Sequence, residues 1–135
     1  GAERRSRKKL FAALEWSITF GPDARGTVPV LRQNAEAHRV KLLPWCEMPW
    51  RGFQDLTADR QYIVDGYGSA TGTMRNVSRP GRIPWSQIQN WLDRNKVQDR
   101  DRQFVQFMIE ALDQHFIDVQ NDLIDKALKK TFKGR

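Results

Sequence analysis

The chain contains one cysteine, Cys46, and two histidines, His38 and His115, among 135 residues. A lone cysteine excludes an intramolecular disulfide, so nothing demands an oxidising compartment. Two distant histidines and one thiol fall short of a zinc-type ligand set, and no metal is expected. Long apolar runs are also missing: none approaches the ~20 residues of a membrane-spanning helix. Leu10 to Leu14 is cut off by Glu15 and is too short for the apolar core of a secretory signal. Gly1-Ala2 reads as a processing or cloning remnant. None of Ser17, Ser69, Ser78 and Ser86 lies in a nucleophile-elbow context. Cys46 has no base beside it and is expected to be a buried structural thiol. The stretch Gly66, Gly68, Gly72 has the glycines of a phosphate loop but not the Lys-Ser/Thr ending. No acid–base or nucleophile set is visible, so we expect a protein that is not an enzyme and that carries no cofactor.

Aromatics are present in quantity. There are five Trp and seven Phe, enough for one real core at this length. Three of the tryptophans follow a proline: Pro44-Trp45, Pro49-Trp50 and Pro84-Trp85. A Pro-Trp pair fixes the backbone just before a large ring and so presents that ring in one direction. The repeated pair points to a packed corner or a docking surface. Trp45, Trp50 and Arg51 are one candidate contact group, since Trp and Arg dominate binding hot spots.

Positive charge is concentrated at the ends. Arg4, Arg5, Arg7, Lys8 and Lys9 face only Glu3, and Lys126, Lys129, Lys130, Lys133 and Arg135 face no acid. These ends outweigh the net charge of +7, so the stretch between them is slightly acidic. Basic ends either hold a polyanion or solubilise and complement a helix dipole. With Arg75, Arg79 and Arg82, they form the candidate nucleic-acid-binding set.

Leu10, Leu14 and Ile18 recur every four residues and predict a helix over 4–20, stopped at Gly21-Pro22-Asp23. Thr27 is placed to cap a second helix with Pro29 in its first turn. That helix would bury Leu31, Ala35 and Leu42. Two prolines five apart make 44–56 an irregular, packed connection. Thr57 then opens a short helix over about 58–65. Gly66, Gly68, Gly72 and Gly81 make 66–82 a flexible Gly/Arg loop, within which a short β-hairpin is compatible. A helix over 84–95 carries Trp85, Ile88, Trp91 and Leu92 on one face. Val105, Ile109, Leu112, Phe116, Val119, Leu123 and Ala127 then trace the stripe of a long last helix. Asp118, Asp122 and Asp125 read as its solvated face, with pairs Asp122–Lys126 and Asp125–Lys129. His115 is expected to pack at the edge of the stripe. The fold class expected is all-α: four to five helices, a basic arm over 1–9, and a single helical domain over 10–135.

Residues 82–116 carry a resemblance. Arg82-Ile83-Pro84-Trp85-Ser86-Gln87-Ile88-Gln89-Asn90-Trp91-Leu92-Asp93-Arg94, then Phe104 to Phe116 with Ile109-Glu110-Ala111-Leu112-Asp113, resembles the C-terminal part of tailed-phage tail assembly chaperones and neighbouring tail-cluster proteins. The resemblance covers about a quarter of the chain and implies a non-enzymatic phage or prophage assembly protein that binds a structural partner, such as a tape-measure or tail-tube chain. It also implies the bacterial cytoplasm or the virion as its place. Trp85, Ile88 and Trp91 would floor an apolar groove walled by the last helix, or would form a filled core. Self-association through the last helix is a further expectation. The basic final helix and the Gly-rich arm depart from the family. They leave open a nucleic-acid-binding component for DNA packaging or head–tail joining.

Overall fold

The structure, a computed structural model, describes residues 2–133. Helix α1 spans Ala2–Arg25 and α2 spans Pro29–Ala37. A 3-10 turn at Pro44–Cys46 leads into α3, Glu47–Ala58. Strands β1 (Tyr62–Gly68) and β2 (Met74–Pro80) form an antiparallel pair. Helix α4 (Trp85–Arg94) precedes the long α5, Asp99–Lys133. Among the described residues the molecule is therefore mostly helical, but its two-stranded sheet makes it α+β rather than all-α.

Helix α1 runs past Pro22, which was expected to stop it. The clash of a proline ring falls largely on the Cβ of the preceding residue, and Gly21 has none. The missing N–H leaves the Ile18 carbonyl without its usual helical donor, a cost α1 bears within its last two turns. Gly26 closes the helix, its N–H donating to the Asp23 carbonyl at 3.2 Å. Residues 4–9, expected as an arm, are the first turns of the same helix.

In α2, Pro29 occupies the first turn as expected. Val28, not Thr27, is the residue before it, and no side chain caps this end. Ala35 is buried, Leu31 is exposed, and Leu42 lies beyond the helix.

Both prolines of 44–56 sit at element starts, where a backbone N–H has no helical partner. Pro44 begins the 3-10 turn and Pro49 falls in the first turn of α3. The segment expected to be irregular is thus helical. Thr57 ends α3 instead of opening a helix, and Tyr62-Ile63-Val64 begins a strand. These are β-branched and aromatic residues, which suit a pleated strand. The stretch expected as a flexible loop is the hairpin. Its turn is closed by the Ser69 N–H donating to the Thr73 carbonyl at 2.9 Å, with Gly72 at φ +89°.

Helix α5 is the axis of the packing, touching α1, α3, α4 and β2. Leu10 and Leu14 of α1, Phe53 and Leu56 of α3, Ile88, Trp91 and Leu92 of α4, and Val105, Met108, Ile109 and Leu112 of α5 form the core. Each such side chain contributes about 1.5–3 kcal/mol by leaving water. The stripe on α5 is core only through Leu112 and Phe116; Leu123 is 48% exposed. Gly52 lets α3 approach α4 and α5. A Cβ there would lie 2.8 Å from Ile109 Cδ1 and 3.1 Å from the Trp91 ring.

Candidate binding surfaces

The six residues expected to bind a partner do not share one surface. Ile88 and Trp91 are 1% and 3% exposed, so they are filled core and floor no open groove. The Trp91 indole N–H donates to Asp55 Oδ2 at 2.9 Å. Trp85, the first residue of α4, is 63% exposed. Three positions put residues 85 and 88 on one helical face, but the burial of that face begins only at Ile88. Trp50 is half-buried against Phe53, with ring centroids 6.2 Å apart. Arg51 is exposed, its guanidinium against Met48 Sδ at 3.3 Å. Trp45 is half exposed, and its indole N–H donates to the Ser6 hydroxyl at 2.7 Å.

The arginines expected to bind nucleic acid from a loop are instead tied to α5. Arg75 donates to the Thr131 hydroxyl, and Arg82 to Gln114 Oε1. Arg79 donates to the Tyr67 hydroxyl at 3.0 Å, Asn121 Oδ1 at 3.1 Å and Asp125 Oδ1 at 2.7 Å. Asp125, through its hydrogen bond, holds Arg79 still more firmly protonated than usual. Asp125 is thus engaged by Arg79 rather than by Lys129. Asp122 does pair with Lys126, at 2.9 Å, and Asp118 accepts from Gln114. Three arginines on β2 and just after it fasten the hairpin along α5.

Beneath them lies a buried pair that the sequence reading missed. Arg60 Nη1 donates to Asp113 Oδ1 and to the Gly81 carbonyl, both at 2.6 Å. Both side chains are essentially without solvent contact. The Ile83 N–H donates to Asp113 Oδ2 at 3.2 Å, and Arg60 Nε to the Thr57 hydroxyl at 3.1 Å. The guanidinium lies over the Phe116 ring, 4.5 Å from its centroid. Asp113 directly follows Leu112, at the edge of the apolar stripe, which was its only signal. These contacts occupy the pair in holding the base of the hairpin.

The remaining cations of the set lie on α1 and at the end of α5. Arg4, Arg5, Arg7, Lys8 and Lys9 are all exposed on α1, and the Arg7 guanidinium lies 5.8 Å from the centre of the Phe107 ring. Lys129 and Lys130 are exposed near the end of α5; the Lys133 side chain and Arg135 lie outside the described residues. Lys96 has φ +53°. Its N–H donates to the Asp93 carbonyl and the Val97 N–H to the Leu92 carbonyl, both at 3.1 Å. This is a helix-ending motif whose left-handed position glycine normally fills, and a lysine there costs about 1–2 kcal/mol.

Exposed apolar side chains gather on the hairpin. Tyr62, Ile63 and Val64 of β1 and Met74 of β2 are 53%, 61%, 65% and 71% exposed. Among the described residues β1 is bonded to β2 on one side only, which leaves its outer edge without a partner strand.

Among the described residues no group of His, Cys, Asp and Glu is placed to hold a metal. His115 is stacked on Phe11 at 4.2 Å and meets Glu15 at 3.0 Å, joining α5 to α1. His38 is stacked on Phe20, with Nδ1 2.8 Å from the Asn34 carbonyl. Cys46 is buried, and that burial pushes its thiol above the ordinary range; the S–H donates to the Ser6 carbonyl at 3.9 Å. No helix among the described residues is long and apolar enough to cross a membrane. No protein-family model, no curated protein and no solved structure matches this chain.

Proposed function

We propose that this chain is a non-enzymatic assembly protein of a tailed phage or prophage, and that it binds an extended segment of a structural partner such as a tail-tube or tape-measure chain. The observation that carries the reading is the open edge of β1. Its outward backbone groups are unpaired, and Tyr62, Ile63 and Val64 along it are exposed. An open strand edge accepts a further strand through main-chain hydrogen bonds, with side chains on alternate positions setting specificity. Long exposed apolar edges are normally blunted by lysine or proline, and β1 has neither.

The hairpin is also held ready. Arg60, Arg75, Arg79 and Arg82 fix it to α5, so its edge is ordered before a partner arrives. Ordering in advance removes part of the entropic cost of binding. The ionisable groups of the interior serve packing, which supports a role without catalysis. The phage context rests on the resemblance of residues 82–116, and the cytoplasm of the host cell is the place it implies.

The test is isothermal titration of the purified protein with a purified tailed-phage tail-tube or tape-measure chain. Saturable binding is expected. Val64→Lys, at a solvent-exposed position, should abolish it without changing the melting temperature. Binding indifferent to Val64→Lys and to Tyr62→Lys removes the edge-strand reading.

A further inference from the structure

Trp45 lies between a groove lined by Lys96 and Arg100 and the first turns of α1, which carry exposed cations. Its indole N–H is already satisfied by Ser6 of α1. What it offers to solvent is therefore ring surface, and 49% of the residue is exposed. On the other side Trp45 lines a groove of about 390 Å³ with Met48, Phe104, Lys96 and Arg100. On the α1 side, Arg4, Arg5, Arg7, Lys8 and Lys9 are all solvent-exposed. The nearby acids are Asp101, which lines the groove 3.7 Å from Arg100 Nε, exposed Glu47 and Asp99 beside it in sequence, and Glu3 on α1.

We infer that this surface binds single-stranded nucleic acid, with a base stacked on Trp45 and the backbone phosphates held by Lys96, Arg100 and the first turns of α1. The physical pattern is an aromatic platform in a basic channel, which recognises unpaired strands because only they present a free base face. Charge complementarity selects a polyanion, and the exposed ring selects an unpaired strand over a duplex. Lys96 supplies an independent sign. Glycine would hold its left-handed backbone without strain, yet the residue beside the groove is a lysine. Backbone strain clusters at binding sites. The site is distinct from the β1 edge and does not depend on it.

The test is fluorescence anisotropy of a labelled oligodeoxythymidine, titrated with the full chain across a salt series. Micromolar or tighter binding at low salt is expected, weakening steeply as salt rises. Lys96→Gly with Arg100→Ala should weaken it about tenfold. The double variant should also reduce the salt slope by about 1.4, at about 0.7 per phosphate contact on a single strand. Both positions are solvent-exposed, and glycine suits position 96, so the melting temperature should not fall. Trp45→Ala should weaken binding about tenfold or more, and Trp45→Phe should recover most of it through the retained ring. Three results overturn the inference: no binding at low salt, equal binding of duplex DNA or polyglutamate, or an unchanged salt slope in the double variant.

Discussion

Removing the Asp113 carboxylate strips two bonds from the interior at once. Arg60 Nη1 loses its charged acceptor at 2.6 Å, and the Ile83 N–H loses its acceptor at 3.2 Å. Arg60 is left as a buried cation whose Nη2 already has no hydrogen-bond partner. Breaking a buried pair from one side costs about 3–5 kcal/mol, out of a total stability of about 5–15 kcal/mol. Asp113→Ala should therefore lower the urea midpoint by about 2 M at an unfolding slope of about 2 kcal/mol per M. Asp113→Asn loses the charge and turns one of the two accepting oxygens into an NH2 that faces Arg60 Nη1 or the Ile83 N–H, so its cost should approach that of alanine, about 3–5 kcal/mol. The decisive comparison is the double variant Arg60→Met with Asp113→Leu. Apolar replacement of a whole buried pair is often close to neutral, so the double variant should be more stable than Asp113→Ala alone. Tryptophan fluorescence through a urea titration reads all three. An Asp113→Ala loss below about 1 kcal/mol, or a double variant worse than the single, would refute the claim that this pair is desolvated.

Other substitutions probe other contacts. Gly52→Ala replaces a helix-interior glycine, a change that ordinarily stabilises by about 1 kcal/mol. Here the added methyl meets Ile109 Cδ1 at 2.8 Å, so the sign should reverse to a loss of about 1–3 kcal/mol by overpacking, visible in the melting temperature. Lys96→Gly should leave the melting temperature unchanged or raise it, since it relieves the left-handed strain at φ +53°. Cys46 should react with a thiol reagent far more slowly in the native protein than in urea, because it is buried. Burial raises its thiol in the folded state, so the neutral form is favoured there. This contribution to stability is present below the unfolded thiol's titration and declines as pH rises through the folded one. A Cys46→Ala variant should accordingly lose less stability than the parent between neutral and strongly alkaline pH.

The long helix and the helix at 85–94 were legible because their apolar residues recur at helical spacing over several turns. The strands were not. Tyr62-Ile63-Val64 is too short and too uniformly apolar to show alternation, and the glycines around it read as loop. Pro22 and Pro49 both read as helix breakers, yet both lie within helices: Pro22 after Gly21, which has no Cβ for the ring to meet, and Pro49 in the first turn of α3. Of the candidate site, the exposed tryptophans 45 and 85 could be named from sequence, but not told from the buried Trp91. That distinction depends on which side α5 covers, and α5 arrives late in the chain. Arg75, Arg79 and Arg82 looked free because Gln114, Asn121, Asp125 and Thr131 stand 32 to 56 residues away.

Helix α5 is a rigid spacer as well as a packing axis. Arg100 near its start lies by the Trp45 groove, and Asp125 near its end holds Arg79 of the hairpin. Along an unbroken helix those two points are about 37 Å apart at 1.5 Å per residue. Two ligands bound at the two ends would neither collide nor compete. The distance between them would be set by the number of residues in one helix, so inserting or deleting whole turns of α5 would change the separation of the cargoes in steps of about 5.4 Å.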